Sequence, residues 1–219
     1  MGCHDAVPFY SPSEVENTRA FLLACRESFP ALLSIWICPN FCTWAGVLCT
    51  PQGVIVNLSY MTLVGSLPSV PDGCDGSEVV VHTIDMGDPD MTIEVSGTLP
   101  ENWSGLKRLE SLDLSFTGVG GTLPPGWSEL SSLSYLNLGY NKLSGALPPS
   151  WGFFSSLREI YLNDNFLSGT IPSSWMNLGG LEVLDLTNNQ LGGWLPSLVV
   201  SAQRSFGAAA RKSRRELQP

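Results

Sequence analysis

Apolar residues recur along the stretch from residue 96 to residue 196 with a period of 24. Leu99, Leu123, Leu147, Ile171 and Leu195 mark that period, and each is followed by Pro. Four copies open as SGTLPENW, GGTLPPGW, SGALPPSW and SGTIPSSW, and a fifth opening, GGWLPS, lacks the Trp. Within a copy, Trp127, Leu130, Leu133, Leu136, Leu138, Asn141, Leu143 and Gly145 return almost without drift. The triplet Leu136-Asn137-Leu138 alternates with period two, which predicts a short strand with its leucines inward and Asn137 outward. Leu133, Leu143 and Leu147 close the interior from other directions, so one copy alone exposes most of its apolar atoms. Burying a large apolar side chain stabilises by about 1.5–3 kcal/mol, and stacking copy on copy is the way to bury these.

A period of this length, with this leucine spacing, resembles the leucine-rich repeat family, whose repeats run to roughly 20–29 residues. The expected fold is an α/β solenoid: a right-handed superhelix with a parallel sheet on its concave face. The TLP, ALP and TIP steps, each with a Gly just before, resemble the plant-type subclass, which adds a second short strand to each coil. Gly121, Gly145, Gly169 and Gly193 are expected to supply the bend. Asn141, Asn165 and Asn189 fall where the strand ends, and an amide there can pair with backbone groups that the turn leaves orphaned. Thr117 holds that place one copy earlier. The Trp column (Trp103, Trp127, Trp151, Trp175) has two readings, a binding ladder or core packing. Plant-type repeats carry a buried aliphatic residue at that position, so the expectation is core.

Residues 1–12 show no clear periodicity. MGCHDA suits a myristoylated Gly2 and a palmitoylated Cys3, although Ala6 stands where that pattern has Ser or Thr. From Ser13 the chain reads as a helix, with Ser13 and Glu16 as its capping box and Phe21, Leu22, Cys25 and Phe29 at helical spacing up to Pro30. Arg26-Glu27 interrupts it, so it is no secretory leader, and no apolar run reaches the roughly 18 residues of a membrane span. The expected divisions are an irregular 1–12, a cap over 13–53, coils over 54–198 and a tail over 199–219. Aligning Val81, Ile84 and Met86 with Leu109, Leu112 and Leu114 gives the long second coil two insertions, one near Cys74 and one around Asp88-Pro89-Asp90.

Charge narrows the function. Residues 1–200 hold 19 acidic and 6 basic side chains, whereas residues 201–219 hold 1 and 5. An acidic body argues against nucleic acid, which needs Lys and Arg against its phosphates. Arg211, Lys212, Arg214 and Arg215 make the tail a basic, solvated segment. The six cysteines all lie between Cys3 and Cys74. An even number so clustered points to disulfides in an oxidising compartment. Zinc competes for Cys38, Cys42 and Cys49, but neither histidine is near enough in sequence to complete a site, and no metal or other cofactor is expected.

Trp36-Ile-Cys-Pro-Asn-Phe-Cys-Thr-Trp-Ala-Gly-Val-Leu-Cys49 resembles the N-terminal cap of extracellular leucine-rich repeat proteins. In that cap the cysteines matching Cys42 and Cys49 are paired. The tract LPSVPDGCDGSEVVVHTIDMG…VSGTLPENWSGLKRL…LDLS, with its repeated LPxxW, is similar to the promastigote surface antigen family of Leishmania and related trypanosomatids. The resemblance covers roughly residues 18–198. It implies a surface glycoprotein, shed or held by a glycolipid anchor, that meets a host receptor or complement component. Family members also carry a secretory leader, a Thr/Pro-rich stalk, a second Cys-rich cap and an anchor signal. This sequence shows none of these, and the expectation is a truncated copy.

Catalysis gains little from the residues. His4 and His82 are the histidines, no nucleophile motif or phosphate loop is present, and His82 reads as a satisfied surface side chain. The register instead exposes columns. One reads Asn57, Asp85, Asp113, Asn137, Tyr161, Asp185; the next reads Tyr60, Asp88, Phe116, Tyr140, Asp164, Asn188; Ser111, Tyr135 and Glu159 precede the first. These positions owe nothing to the core and are expected to face the concave surface. Tyr and Phe flanked by carboxylates suit a protein partner with basic and apolar groups, bound by a monomer. The other reading of this face is a merely solvated one. Asn57-Leu-Ser59 and Asn102-Trp-Ser104 are candidate glycosylation sites. The alternatives left open are an acylated intracellular scaffold beginning at Gly2 and a plant-type receptor ectodomain or glycanase inhibitor.

Overall fold

The computed structural model describes residues 9–193, except 60 and 91. The expected acylation at Gly2 and Cys3, the Tyr60 position and the basic tail lie outside the described residues. Among the described residues one α-helix, α1 (Pro12–Ser28), comes first and thirteen short strands follow. Its start differs from the expectation. Ser11, not Ser13, is the N-cap: Glu14 N–H donates to Ser11 Oγ at 3.3 Å, and Ser11 N–H donates to Glu14 Oε2 at 2.7 Å. Pro12 is the reason, because a residue with φ preset and no N–H to satisfy fits the first helical position.

The concave sheet has seven strands in the order β1 (Val47–Thr50), β2 (Gly53–Asn57), β4 (Val81–Asp85), β6 (Ser111–Asp113), β8 (Tyr135–Asn137), β10 (Glu159–Tyr161) and β12 (Val183–Asp185). β1 pairs antiparallel with β2 and all later neighbours are parallel. Ile84, Leu112, Leu136, Ile160 and Leu184 stand opposite one another in an unbroken buried row. The second strands form two ribbons, β3 (Leu63–Ser66) with β5 (Ile93–Ser96), and β7 (Gly120–Thr122), β9 (Lys142–Ala146), β11 (Phe166–Thr170) and β13 (Gln190–Gly192). Gly121, Gly145, Gly169 and Gly193 have φ between 80° and 84°, the left-handed bend that sends each coil from one sheet toward the next turn.

The Trp column lies in the core. Successive indoles stack at 6.1, 6.5 and 6.1 Å, and all four are buried. Each indole N–H reaches back to the previous coil's Leu-Pro step: Trp103 to Pro68 O, Trp127 to Pro100 O, Trp151 to Pro124 O and Trp175 to Pro148 O, at 2.8–2.9 Å. A buried indole must place its one donor, and here the donor also joins coil to coil. The corner amides do the same. Asn165 Nδ2 donates to Leu138 O in the coil before and to Leu162 O in its own, while its Oδ1 accepts from Leu143 N–H. Asn141 and Asn189 repeat the arrangement, and Thr117 Oγ1 donates to Leu114 O and to Asn141 Oδ1.

At the N-terminal end α1 covers the first coils. Phe21 meets Trp103 edge-on at 6.0 Å, Thr18 Oγ1 accepts from Val80 N–H, and Arg108 pairs with Glu14 at 2.6 Å. Cys42 and Cys49 form a disulfide beside the stacked pair Trp36 and Trp44, and Cys38 is also disulfide-bonded. Cys25 and Cys74, whose pairing the sequence left open, are free thiols. Cys25 is consumed by packing: it lies in the apolar seam under α1, where burial pushes its thiol up to about 12. Cys74 Sγ instead donates to Asn17 O.

Candidate functional site

The outward faces of β4 to β12 carry the expected columns in register. Asn57, Asp85, Asp113, Asn137, Tyr161 and Asp185 succeed one another across the sheet, and Ser111, Tyr135 and Glu159 align beside them. These side chains are less free than their outward direction implies. Where a concave strand ends, the N–H two residues on has no ladder partner, and the column residue takes it. Asp113 Oδ1 accepts from Ser115 N–H and Oγ, Asp185 Oδ1 from Thr187 N–H and Oγ1, and Asn57 Oδ1 from Ser59 N–H and Oγ. Asp85 and Asn137 accept from Gly87 and Gly139. These are Asx-turns, and the repeated Asp/Asn-x-Ser/Thr/Gly spacing was their signal in the sequence.

The remaining atoms build two clusters. In the first, Asp113 Oδ2 accepts from Asn137 Nδ2 at 2.9 Å and from the Tyr135 hydroxyl at 3.3 Å, and Tyr161 donates to Glu159 Oε2 at 2.9 Å. The Tyr135 and Tyr161 rings lie 5.8 Å apart. Burial, reinforced by the Asp113 charge, pushes the Tyr135 phenol up to about 12, and burial with Glu159 raises Tyr161. Burial also raises Asp85, its Gly87 N–H opposing and Asp113 adding to the rise. In the second cluster, at the edge of the concave face, the Phe116 and Tyr140 rings stack at 4.1 Å and Asp164 occupies the next coil. Asp88, placed in this column by the sequence, is turned inward: it is buried and accepts from Ile93 N–H, because the inserted loop it opens leaves that donor at the start of β5 without another acceptor.

His82 departs from the satisfied surface side chain expected of it. It lies within β4 over Gly53, Nδ1 meets Thr83 Oγ1 at 3.0 Å, and Nε2 is buried without a hydrogen bond. A Cβ at residue 53 would stand 2.6 Å from the ring, so glycine makes the room. Of the sequons, Asn57 is half-buried in the concave column with Nδ2 donating to Asp85 Oδ2, and Asn102 is exposed but clamps both backbone groups of Val70. Among the described residues no group of three His, Cys, Asp or Glu side chains could hold a metal ion, and no helix is long and apolar enough to cross a membrane.

Stacked coils with a ladder of parallel strands, a second short strand and a capped end define a leucine-rich repeat ectodomain-type solenoid, and the chain belongs to the leucine-rich repeat family. The family's pattern matches residues 107–165, 156–178 and 180–201. Among characterised proteins, the chain is similar to the surface membrane glycoprotein GP46/M-2 of Leishmania amazonensis, 38% identical over 110 residues. That match covers 50% of this chain and 23% of the glycoprotein, so the chain spans a minor part of its relative's length. Among solved structures, a chain of the BIR3–SERK2 complex of Arabidopsis thaliana is 30% identical with TM-score 0.65, the match covering 81% of this chain and 96% of that one. The Arabidopsis receptor kinase HAESA, bound to the peptide hormone IDA and the co-receptor SERK1, gives 30% identity and TM-score 0.67 over 86% of this chain and 32% of the other.

Proposed function

We propose that the concave sheet is a non-catalytic recognition surface for a protein partner that presents basic and apolar side chains. One observation carries this reading. The outward positions of the concave strands β4, β6, β8, β10 and β12, with the column residues Phe116, Tyr140, Asp164 and Asn188 that follow them, gather Tyr, Phe and carboxylates, and none of these positions holds a lysine or arginine. Aromatic anchors and complementary charge are what such interfaces use for affinity and encounter rate. In this reading Phe116, Tyr135, Tyr140 and Tyr161 anchor the partner and Asp113, Glu159, Asp164 and Asp185 steer it. Asn137 extends the same surface, while Asn141, Asn165 and Asn189 hold the coils beneath it.

The likeness to a Leishmania surface glycoprotein supports a place on or outside the cell, and the Cys42–Cys49 bridge suits an oxidising compartment. The partner by this analogy is a host receptor or complement component, met by a monomer with a lipid anchor as its membrane attachment. A glycan on Asn57 would crowd the face, and the bulky Trp103 between Asn102 and Ser104 makes the second sequon a poor acceptor. The test is binding of immobilised host-surface and complement proteins to the wild-type chain and to a variant with Tyr135, Tyr140 and Tyr161 changed to Ser. Loss of several anchors is expected to weaken binding by at least about a hundredfold. Unchanged binding to every partner the wild type captures would refute the reading.

A further inference from the structure

Phe116 and Tyr140 hold equivalent places one coil apart, just after β6 and β8, and both have left-handed backbone, with φ of 60° and 55°. That conformation is disfavoured for a residue with a Cβ and is tolerated best by Asn and Asp. The following two coils carry Asp164 and Asn188 there, at 54° and 55°. The turn itself therefore asks for Asn or Asp, and the two aromatic residues answer another requirement.

Their rings are within 10° of parallel, one coil apart, so they stack along the solenoid axis. Tyr140 is 47% exposed. Phe116 covers one face of its ring, and the coil on the opposite side is the one that carries Asp164, whose backbone carbonyl accepts from Asn141 N–H at 3.2 Å. The Asp164 carboxylate is already oriented: Oδ2 accepts from Asn163 Nδ2 and Oδ1 from Asn188 Nδ2, both at 2.9 Å. None of the ion pairs among the described residues engages it.

We infer that the open face of Tyr140 and the carboxylate of Asp164 form a slot for one arginine side chain of the partner. The guanidinium continues the Phe116–Tyr140 stack and donates to Asp164. This rests on the concave-face reading above and gives it a specificity element. A guanidinium is flat and weakly hydrated, so it can lie parallel to a ring and present N–H groups edgewise to a carboxylate. A lysine ammonium carries the same charge but cannot extend a stack. Two amide donors hold the carboxylate before the partner arrives, which lowers the ordering cost of binding.

The probe is N-acetyl-arginine amide, titrated into the full chain while NMR follows the Phe116 and Tyr140 ring signals. N-acetyl-citrulline amide, equal in shape but neutral, and N-acetyl-lysine amide are the comparisons. Arginine is expected to shift the Tyr140 ring with half-saturation on the order of 10 mM, the strength of one cation–π contact plus one charged hydrogen bond. Lysine should bind several-fold more weakly, and citrulline should leave the ring unmoved. Asp164→Asn, at home in a left-handed turn, should weaken the arginine response at least about fivefold with the backbone spectrum preserved. Phe153→Ser, an exposed aromatic change on a side turn, should not alter it. Equal responses to arginine and citrulline, an undiminished response in Asp164→Asn, or no shift at Tyr140 would each overturn the slot. Those results leave partner capture by the wild-type chain untouched, so failure of the slot and failure of the concave face are separate outcomes.

Discussion

The regular coils and the capped end solve the same problem in opposite ways. From Thr98 onward the coils rest on two devices copied at fixed spacing, an indole that donates to the previous Leu-Pro carbonyl and an amide that stitches two turns. The first third rests on contacts that occur once: Thr18 to Val80, Asn17 to Asp75, Arg26 to Trp36 O, Tyr10 to Thr50 O and the Cys42–Cys49 bridge. Repetition spreads stability over many equal terms, whereas the cap concentrates it in single ones. A solenoid needs both, because each coil buries its neighbour and the first coil has no neighbour before it.

Substitutions can break this contrast. Trp127→Ala removes a buried ring from the middle of the stack together with its hydrogen bond, and a loss of about 4–5 kcal/mol is expected in chemical denaturation. Asn141→Leu, nearly equal in volume, orphans the Gly118 N–H and leaves Leu114 O with the Thr117 hydroxyl alone, and should cost about 2–3 kcal/mol; a neutral result would show that the amide ladder is dispensable. In the cap, Cys42→Ser should cost about 2–3 kcal/mol under non-reducing conditions, with the coils' own hydrogen-exchange protection retained. Thr18→Val strips one buried acceptor from Val80 N–H, for about 1–2 kcal/mol, and its effect should stay within α1 and the first coils. The smallest effect is a titration. The unfolded chain ionises a tyrosine near 10, and the folded chain holds the Tyr135 proton to about 12. Between those values the unfolded state binds fewer protons, so stability falls as pH rises. Asp113→Asn should move that phenolate absorbance step downward, and a step that does not move would exclude the Asp113 charge as a contributor.

The coils were legible because a 24-residue ruler repeats each choice and so averages out local ambiguity. The inward row of leucines, the glycine bends and the buried Trp column all follow from it. The indole's partner did not follow, since a carbonyl acceptor carries no sequence signature of its own. The N-terminal third lacks that averaging. There the capping box slid two residues because Pro12 outweighed a second Ser-x-x-Glu match, and Cys25 went to packing rather than to a disulfide. On the candidate surface the columns were readable from strand alternation. Their Asx-turns had a signal of another kind, the Asp/Asn-x-Ser/Thr/Gly spacing, while the inward turn of Asp88 and the left-handed Phe116 and Tyr140 had none, because each depends on what the backbone does after the strand has ended.

The direction of the indole bonds gives the molecule an arrow. In the column, Trp103, Trp127, Trp151 and Trp175 each reach back toward residues made earlier, so during synthesis the acceptor is in place before its donor emerges. A gene that gains or loses a whole copy in register leaves each indole a Leu-Pro carbonyl in the copy before it. The array can therefore change by entire coils without orphaning a donor, as long as the first coil and the helix over it stay in place.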